Sequence, residues 1–168
     1  MRFQTIVVLG VLSFGSVAYA QQPTTPPVPL PVRQYAAKFV CGRPTTQQTG
    51  NFDIAPGFYY TIINVHNPAL AGGVEFRKKF ALAERDEKPG KISEWIPVFL
   101  KADQAMQINC GNIYKHLGIV PGTFIDGFAV IQMFNTKPEL DVVGVYTASP
   151  GNGVSSIDIE RVEGRITQ

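Results

Sequence analysis

Two cysteines, two histidines and one oddly phased lysine are the residues of this chain whose types and spacing could do chemistry. Cys41 and Cys110 are the only thiols, and in an oxidising compartment an isolated pair is expected to be a disulfide. The local patterns agree: Tyr35, Ala37, Phe39 and Cys41 share one strand face, as do Met106, Ile108 and Cys110, so both sulfurs can point into one core. His66 stands in Asn-Val-His-Asn-Pro, where Asn67-Pro68 ends a strand, and the expected role of His66 and Asn67 is hydrogen bonding to loop backbone. His116 follows Cys110 with Cys-x5-His spacing, and Met106 and Met133 could complete a copper site. A copper thiolate would require an unpaired Cys110 and leave Cys41 unexplained. No metal site and no cofactor are therefore expected.

Lys78 breaks the rule of its own strand. In Phe-Arg-Lys-Lys-Phe, alternation turns Lys78 to the side of Phe76 and Phe80, where an unpaired ammonium is costly. A bulge must rotate the strand, or the lysine stem must run along apolar surface to water or a carboxylate. The sharper alternative is a polar groove that recognises something anionic. His66, Asn67, Lys78 and His116 together make the candidate polar site.

Hydrolytic chemistry finds little support. The serines after residue 20 are Ser93, Ser149, Ser155 and Ser156, none in Gly-x-Ser-x-Gly. Asp126, Asp141, Asp158 and Glu160 could supply paired carboxylates for glycoside chemistry, but alternation along exposed strands explains them equally. No Asp-x-Asp-x-Asp calcium loop, phosphate loop or dinucleotide fingerprint is present. Asp86 and Glu87, among Arg85, Lys88 and Lys91, suit a solvated hairpin loop. No catalytic residue is assigned.

The elements that must position these groups are short, β-branched and aromatic, and are punctuated by Gly, Pro, Asn and Asp. Strands are expected near residues 35–42, 57–66, 73–84, 95–100, 104–110, 124–133, 139–148 and 154–162. Residues 58–65 and 140–146 are apolar on both faces and should lie centrally. Val74, Phe76, Phe80 and Leu82 alternate with Glu75, Arg77, Lys79 and Ala81, which predicts one buried and one wet face. Residues 149–153 carry hairpin chemistry. Only residues 112–117 look helical, with Gly118 as the stop, and residues 161–165 are expected to leave the last strand and end free. The predicted fold is an all-β, immunoglobulin-like two-sheet sandwich with one short helix, with a jelly roll as the competitor.

Ahead of that domain, Arg2, the apolar run over residues 6–17 and Ala18-Tyr19-Ala20 read as a secretory signal peptide over residues 1–20. The run is too short and too interrupted for a permanent membrane span. Residues 21–34 form a Pro-rich arm, and residues 35–168 a single domain. The formal net charge of +2 gives no footprint for nucleic acid, since Arg77, Lys78 and Lys79 are answered by Glu75, Glu84, Asp86 and Glu87.

Residues 60–68 (YTIINVHNP), 75–79 (EFRKK), Asn109-Cys110, 127–131 (GFAVI) and 140–148 (LDVVGVYTA) together resemble uncharacterised exported bacterial β-sandwich proteins. The resemblance spans about residues 35–165 and implies a bacterial origin and a compact secreted unit, with no activity attached.

The function expected from these readings is an exported, non-enzymatic structural or interaction module of the periplasm or cell surface. Its partner would be an unknown protein or surface, with homo-oligomer formation open. One alternative is a metal-binding or hydrolytic protein using His66 and His116. Another is a surface-fibre subunit assembled by strand addition, although prolines in the arm would each remove a ladder hydrogen bond.

Overall fold

Two antiparallel sheets pack face to face in a computed structural model that describes residues 31–45, 54–85, 87–134, 137–151 and 156–167. The chain runs β1 (Val32–Cys41), β2 (Phe58–His66), β3 (Gly73–Ala83), β4 (Pro89–Ile92), β5 (Ile96–Lys101), β6 (Ala105–Asn109), α1 (Cys110–Leu117), β7 (Ile125–Met133), β8 (Asp141–Ser149), β9 (Ser156–Arg161) and β10 (Arg165–Thr167). One sheet has the order β10-β1-β7-β3-β4, with β5 also on β3; the other runs β6-β2-β8-β9. The chain is thus an all-β two-sheet sandwich with one short helix.

Period-two alternation builds the core, because each strand sends every second side chain inward. Tyr35, Ala37, Phe39 and Cys41 of β1 meet Phe76 and Phe80 of β3, Ile131 and Met133 of β7, and Ile63, Val65, Ile108 and Val142 from the other sheet. Phe39 and Phe80 pack edge to face with centroids 6.5 Å apart. Two polar links and one covalent one tie the sheets together. Tyr35 Oη accepts from the Leu140 amide at 2.9 Å. Thr61 Oγ1 donates to the Val40 carbonyl at 3.0 Å and accepts its amide at 2.9 Å, standing in for a neighbouring strand along that edge of β1. The Cys41–Cys110 disulfide joins the end of β1 to the start of α1.

The helix begins earlier than its apolar pattern indicates. Asn109 caps it by accepting from the Asn112 amide at 3.0 Å, while the Asn112 side chain accepts from the Asn109 amide at 3.0 Å. Gly118 closes it in the left-handed conformation, φ 63°, as expected.

Three expectations are corrected. The arm does not extend to residue 34, because Val32, Arg33 and Gln34 already belong to β1 and pair with β10. The C-terminal tail does not end free: Arg165–Thr167 is that partner strand, and Val162 anchors the approach by donating its amide to Val142 O at 2.9 Å. The two segments are far apart in the chain, so no local pattern announces their pairing. Finally, β2 and β8 are the inner strands of their sheet, yet only one face of that sheet packs on the core. Across the register, the outer face joins Ile62, Val145 and Ile159 in one row and Tyr60, Thr147 and Ile157 in the next. β4, lacking alternation, had no sequence signal. The signal-peptide and Pro-rich readings over residues 1–30 and Asp86 lie outside the described residues.

Candidate functional site

The candidate polar site divides into two structural locations. His66 closes β2, opposite Asp141 in the register, and instead of bonding loop backbone as expected its ring bridges two carboxylates, Nδ1 to Asp141 Oδ2 at 3.2 Å and Nε2 to Asp103 Oδ1 at 3.1 Å. Asp141 is also met by Arg161 Nη2 at 3.3 Å. The hydrogen bonds to Asp141 and then Asp103 raise the imidazole pKa above its ordinary value of 6.5. A raised folded pKa gives stability that is complete below the unfolded value and is lost as pH climbs through the folded one. The melting-temperature advantage of the wild type over His66→Gln is therefore expected to be larger at about pH 5.5 than at about pH 8.5. A pH-independent difference would remove the charged imidazole from that bridge.

Asn67 is fully buried and serves the backbone, as its setting before Pro68 indicates. Its Nδ2 donates to Lys101 O at 3.0 Å and Leu100 O at 3.3 Å, and its Oδ1 accepts from the Ala69 amide at 3.2 Å. Its main chain pairs with Gln104 O and the Asp103 amide, so one residue holds the β5–β6 turn against the end of β2.

Lys78 and His116 share the second location. Pairing runs uninterrupted through Lys78 to Ile131 on one side and Ile96 on the other, so no bulge turns it outward; the register shift in β3 comes later, between Ala81 and Ala83. Lys78 is only 7% exposed, and burial lowers its pKa below 10.5. His116 lies exposed on α1 with its ring stacked on Phe80, centroids 5.8 Å apart. Desolvation, then the charges of Lys78 and Lys115, lower its pKa. Because burial disfavours the ammonium, Lys78→Met is expected to raise stability by about 1 kcal/mol at neutral pH. The unfolded chain holds that proton more tightly, so wild-type stability rises with pH and the gap should narrow toward about pH 10. A destabilised Lys78→Met in urea titrations would show that the amine is satisfied rather than strained.

The other candidates have ordinary partners. The Cys110 sulfur is in the disulfide, which removes the thiolate from the Met106, Met133 and His116 copper arrangement. Ser93 Oγ accepts from Phe80 N at 2.9 Å and donates to Glu94 O at 3.0 Å. Asp126 binds Lys38 Nζ at 2.7 Å. Among the described residues, no group of three His, Cys, Asp or Glu could hold a metal ion, and no helix is long and apolar enough to cross a membrane.

What sequence reasoning missed lies on the outer face of the six-stranded sheet. The wet side of β3 carries Glu75, Arg77 and Lys79, and cross-strand register places them beside Phe99 and Pro97 of β5 and Gln132 and Val130 of β7. The Arg77 guanidinium lies between two rings, 4.2 Å from the Trp95 centroid and 4.6 Å from that of Phe134. Gln132 Oε1 fixes it by accepting from Nε at 2.8 Å and from Nη2 at 2.5 Å. Lys79 Nζ sits over the same Trp95 ring at 4.5 Å. Around Arg77 opens a shallow cleft of about 470 Å³ walled by Pro97, Phe99 and Phe134, with Glu75 also in its lining. Phe99 is 57% exposed and Phe134 54%. The chain matches no protein family, no curated protein and no solved structure. The site therefore rests on its own geometry. The alternation of Arg77 and Lys79 was legible; their convergence with Trp95 and Phe134 was not, because three separate segments supply the parts.

Proposed function

We propose that the chain is an exported, non-enzymatic interaction module of a bacterial periplasm or cell surface, an immunoglobulin-like sandwich that docks a protein partner on the outer face of its six-stranded sheet. The observation that carries this reading is the Arg77 guanidinium held between Trp95 and Phe134 beside a cleft lined by Pro97, Phe99 and Phe134, with Glu75 at its side. Trp and Arg dominate the energetic centres of protein interfaces, and rings that hold a guanidinium in place remove part of the ordering cost of binding. Neither Arg77 nor Lys79 has a carboxylate partner within ion-pair distance among the described residues. The fitting partner is accordingly a segment with acidic residues flanked by aliphatic or aromatic ones. Export is supported by the disulfide.

Selection of random displayed peptides on the folded domain tests this docking face. The expected consensus is an acidic residue between apolar ones, with affinity falling by more than about tenfold in a Trp95→Ala/Phe134→Ala variant that melts normally. Enrichment of basic peptides, or unchanged binding to the variant, would sink the proposal.

A further inference from the structure

A second groove, on the other sheet, has the opposite chemistry. β9 is exposed along its whole length, projecting beyond the cover of the six-stranded sheet. Register puts Thr61, Tyr146 and Asp158 in one row across β2, β8 and β9, and Tyr59, Ala148 and Ser156 in the next. Glu160 lies opposite Gly144 on the same face, and Gly144 has no side chain because the Tyr146 ring lies over it: a β-carbon there would come within 2.6 Å of the phenol oxygen. That course carries Tyr146 Oη to Glu160 Oε2, to which it donates at 2.9 Å. Between this row and the edge of β1 lies a groove of about 370 Å³, within the ~300–1,000 Å³ range of small-ligand sites.

Charge decides what the groove suits. Asp158 and Glu160 line it, and neither has a basic partner within ion-pair distance among the described residues. The one cation in the wall, Lys38, is bound to Asp126 at 2.7 Å and lies over the Phe128 ring at 5.3 Å. Tyr59 and Tyr146 add ring surface, whose negative face attracts cations. We infer that this groove binds an organic cation, an ammonium or guanidinium group that pairs with Asp158 and Glu160 while its carbon stem lies against the tyrosines. In support, burial, the hydrogen bond to Glu160 and the charges of Glu160 and Asp158 all push the Tyr146 phenol pKa up, which sets both carboxylates near that ring. The cation comes either from a free amine or from a basic side chain of a protein segment.

The test is titration of the isotope-labelled protein with agmatine, with the uncharged near-isostere butylurea, which keeps the four-carbon stem and the planar urea but no cation, and with a pentapeptide bearing one central arginine. Agmatine should shift the amide signals of Tyr146, Asp158 and Glu160, and the isostere should not. The Asp158→Asn/Glu160→Gln variant, with its melting temperature checked, should bind at least about tenfold more weakly. A pentapeptide more than about tenfold tighter than agmatine supports the site and assigns the cation to a protein segment, whereas equal affinities support it and assign a free amine. Absence of shifts with agmatine, equal shifts with the isostere, or undiminished binding by the variant would overturn the inference. The Trp95→Ala/Phe134→Ala variant should retain agmatine binding, so failure here and failure of the docking face are read separately.

Discussion

Replacing Cys110 by Ser is expected to lower the unfolding free energy by about 4 kcal/mol, a large share of what a domain of this size has. The bridge closes a loop across a sequence separation of 69. In the chain-entropy account, freeing a loop of that length returns about 4 kcal/mol of conformational freedom to the unfolded ensemble. The native state loses contacts as well. Cys41 is fully buried and Cys110 nearly so, and Cys110 Sγ lies 3.3 Å from the Thr61 amide. Removing the bridge uncouples the end of β1 from the start of α1, the covalent point at which the two sheets are held in register. Relative to the oxidised wild type, urea unfolding of the reduced protein, of Cys110→Ser and of a Cys41→Ala/Cys110→Ala variant should show matching losses. A shift below about 1 kcal/mol in all three would mean that the constraint is not what stabilises the domain.

Gly127→Ala is expected to cost about 3 kcal/mol, at the upper end of the usual range for overpacking. Gly127 lies in β7 between β1 and β3, opposite Phe39 on one side and Leu82 on the other. A β-carbon at this position would run into the Ala81 carbonyl oxygen and press on the Phe39 ring at 2.9 Å. Backbone can yield here only by separating β7 from β3, and Phe39 is fully buried against Phe80, so the ring has little room to turn. Gly151→Ala, where a β-carbon meets nothing within 4 Å, controls for loss of glycine freedom as such. Its φ of 123° still strains alanine, so its smaller loss sets the backbone part of the effect. Equal losses at both positions in thermal and urea unfolding would refute the close-approach argument.

The strands were legible because burial on one face writes a period of two into the sequence. β1, β3 and β7 all show it, and each expected strand was found within a few residues of its predicted limits. β4 and β10 were not legible, since Pro89-Gly90-Lys91-Ile92 lacks alternation and Arg165–Thr167 takes its strand character from a partner at the opposite end of the chain. The sequence named His66, Asn67, Lys78 and His116 as one candidate polar site, and the structure places them at two separate locations. His66 and His116 looked like a possible pair; one is bridged by Asp141 and Asp103, the other stacked on Phe80. Lys78 was singled out as a break in alternation, and the uninterrupted register excludes the bulge that would have turned it outward.

By itself, then, the chain determined an all-β sandwich, the Cys41–Cys110 bridge and the inward faces of its main strands, because burial and oxidation act on local pattern and on residue type. Only the tertiary structure decided what stands on the outward faces. Arg77, Trp95 and Phe134 come together because β3, the approach to β5 and the end of β7 are brought side by side. Tyr146, Asp158 and Glu160 form an open groove because β9 projects beyond the cover of the opposing sheet. Solvent imposes no periodic pattern on such faces, so their composition becomes readable only once strand order places one residue beside another.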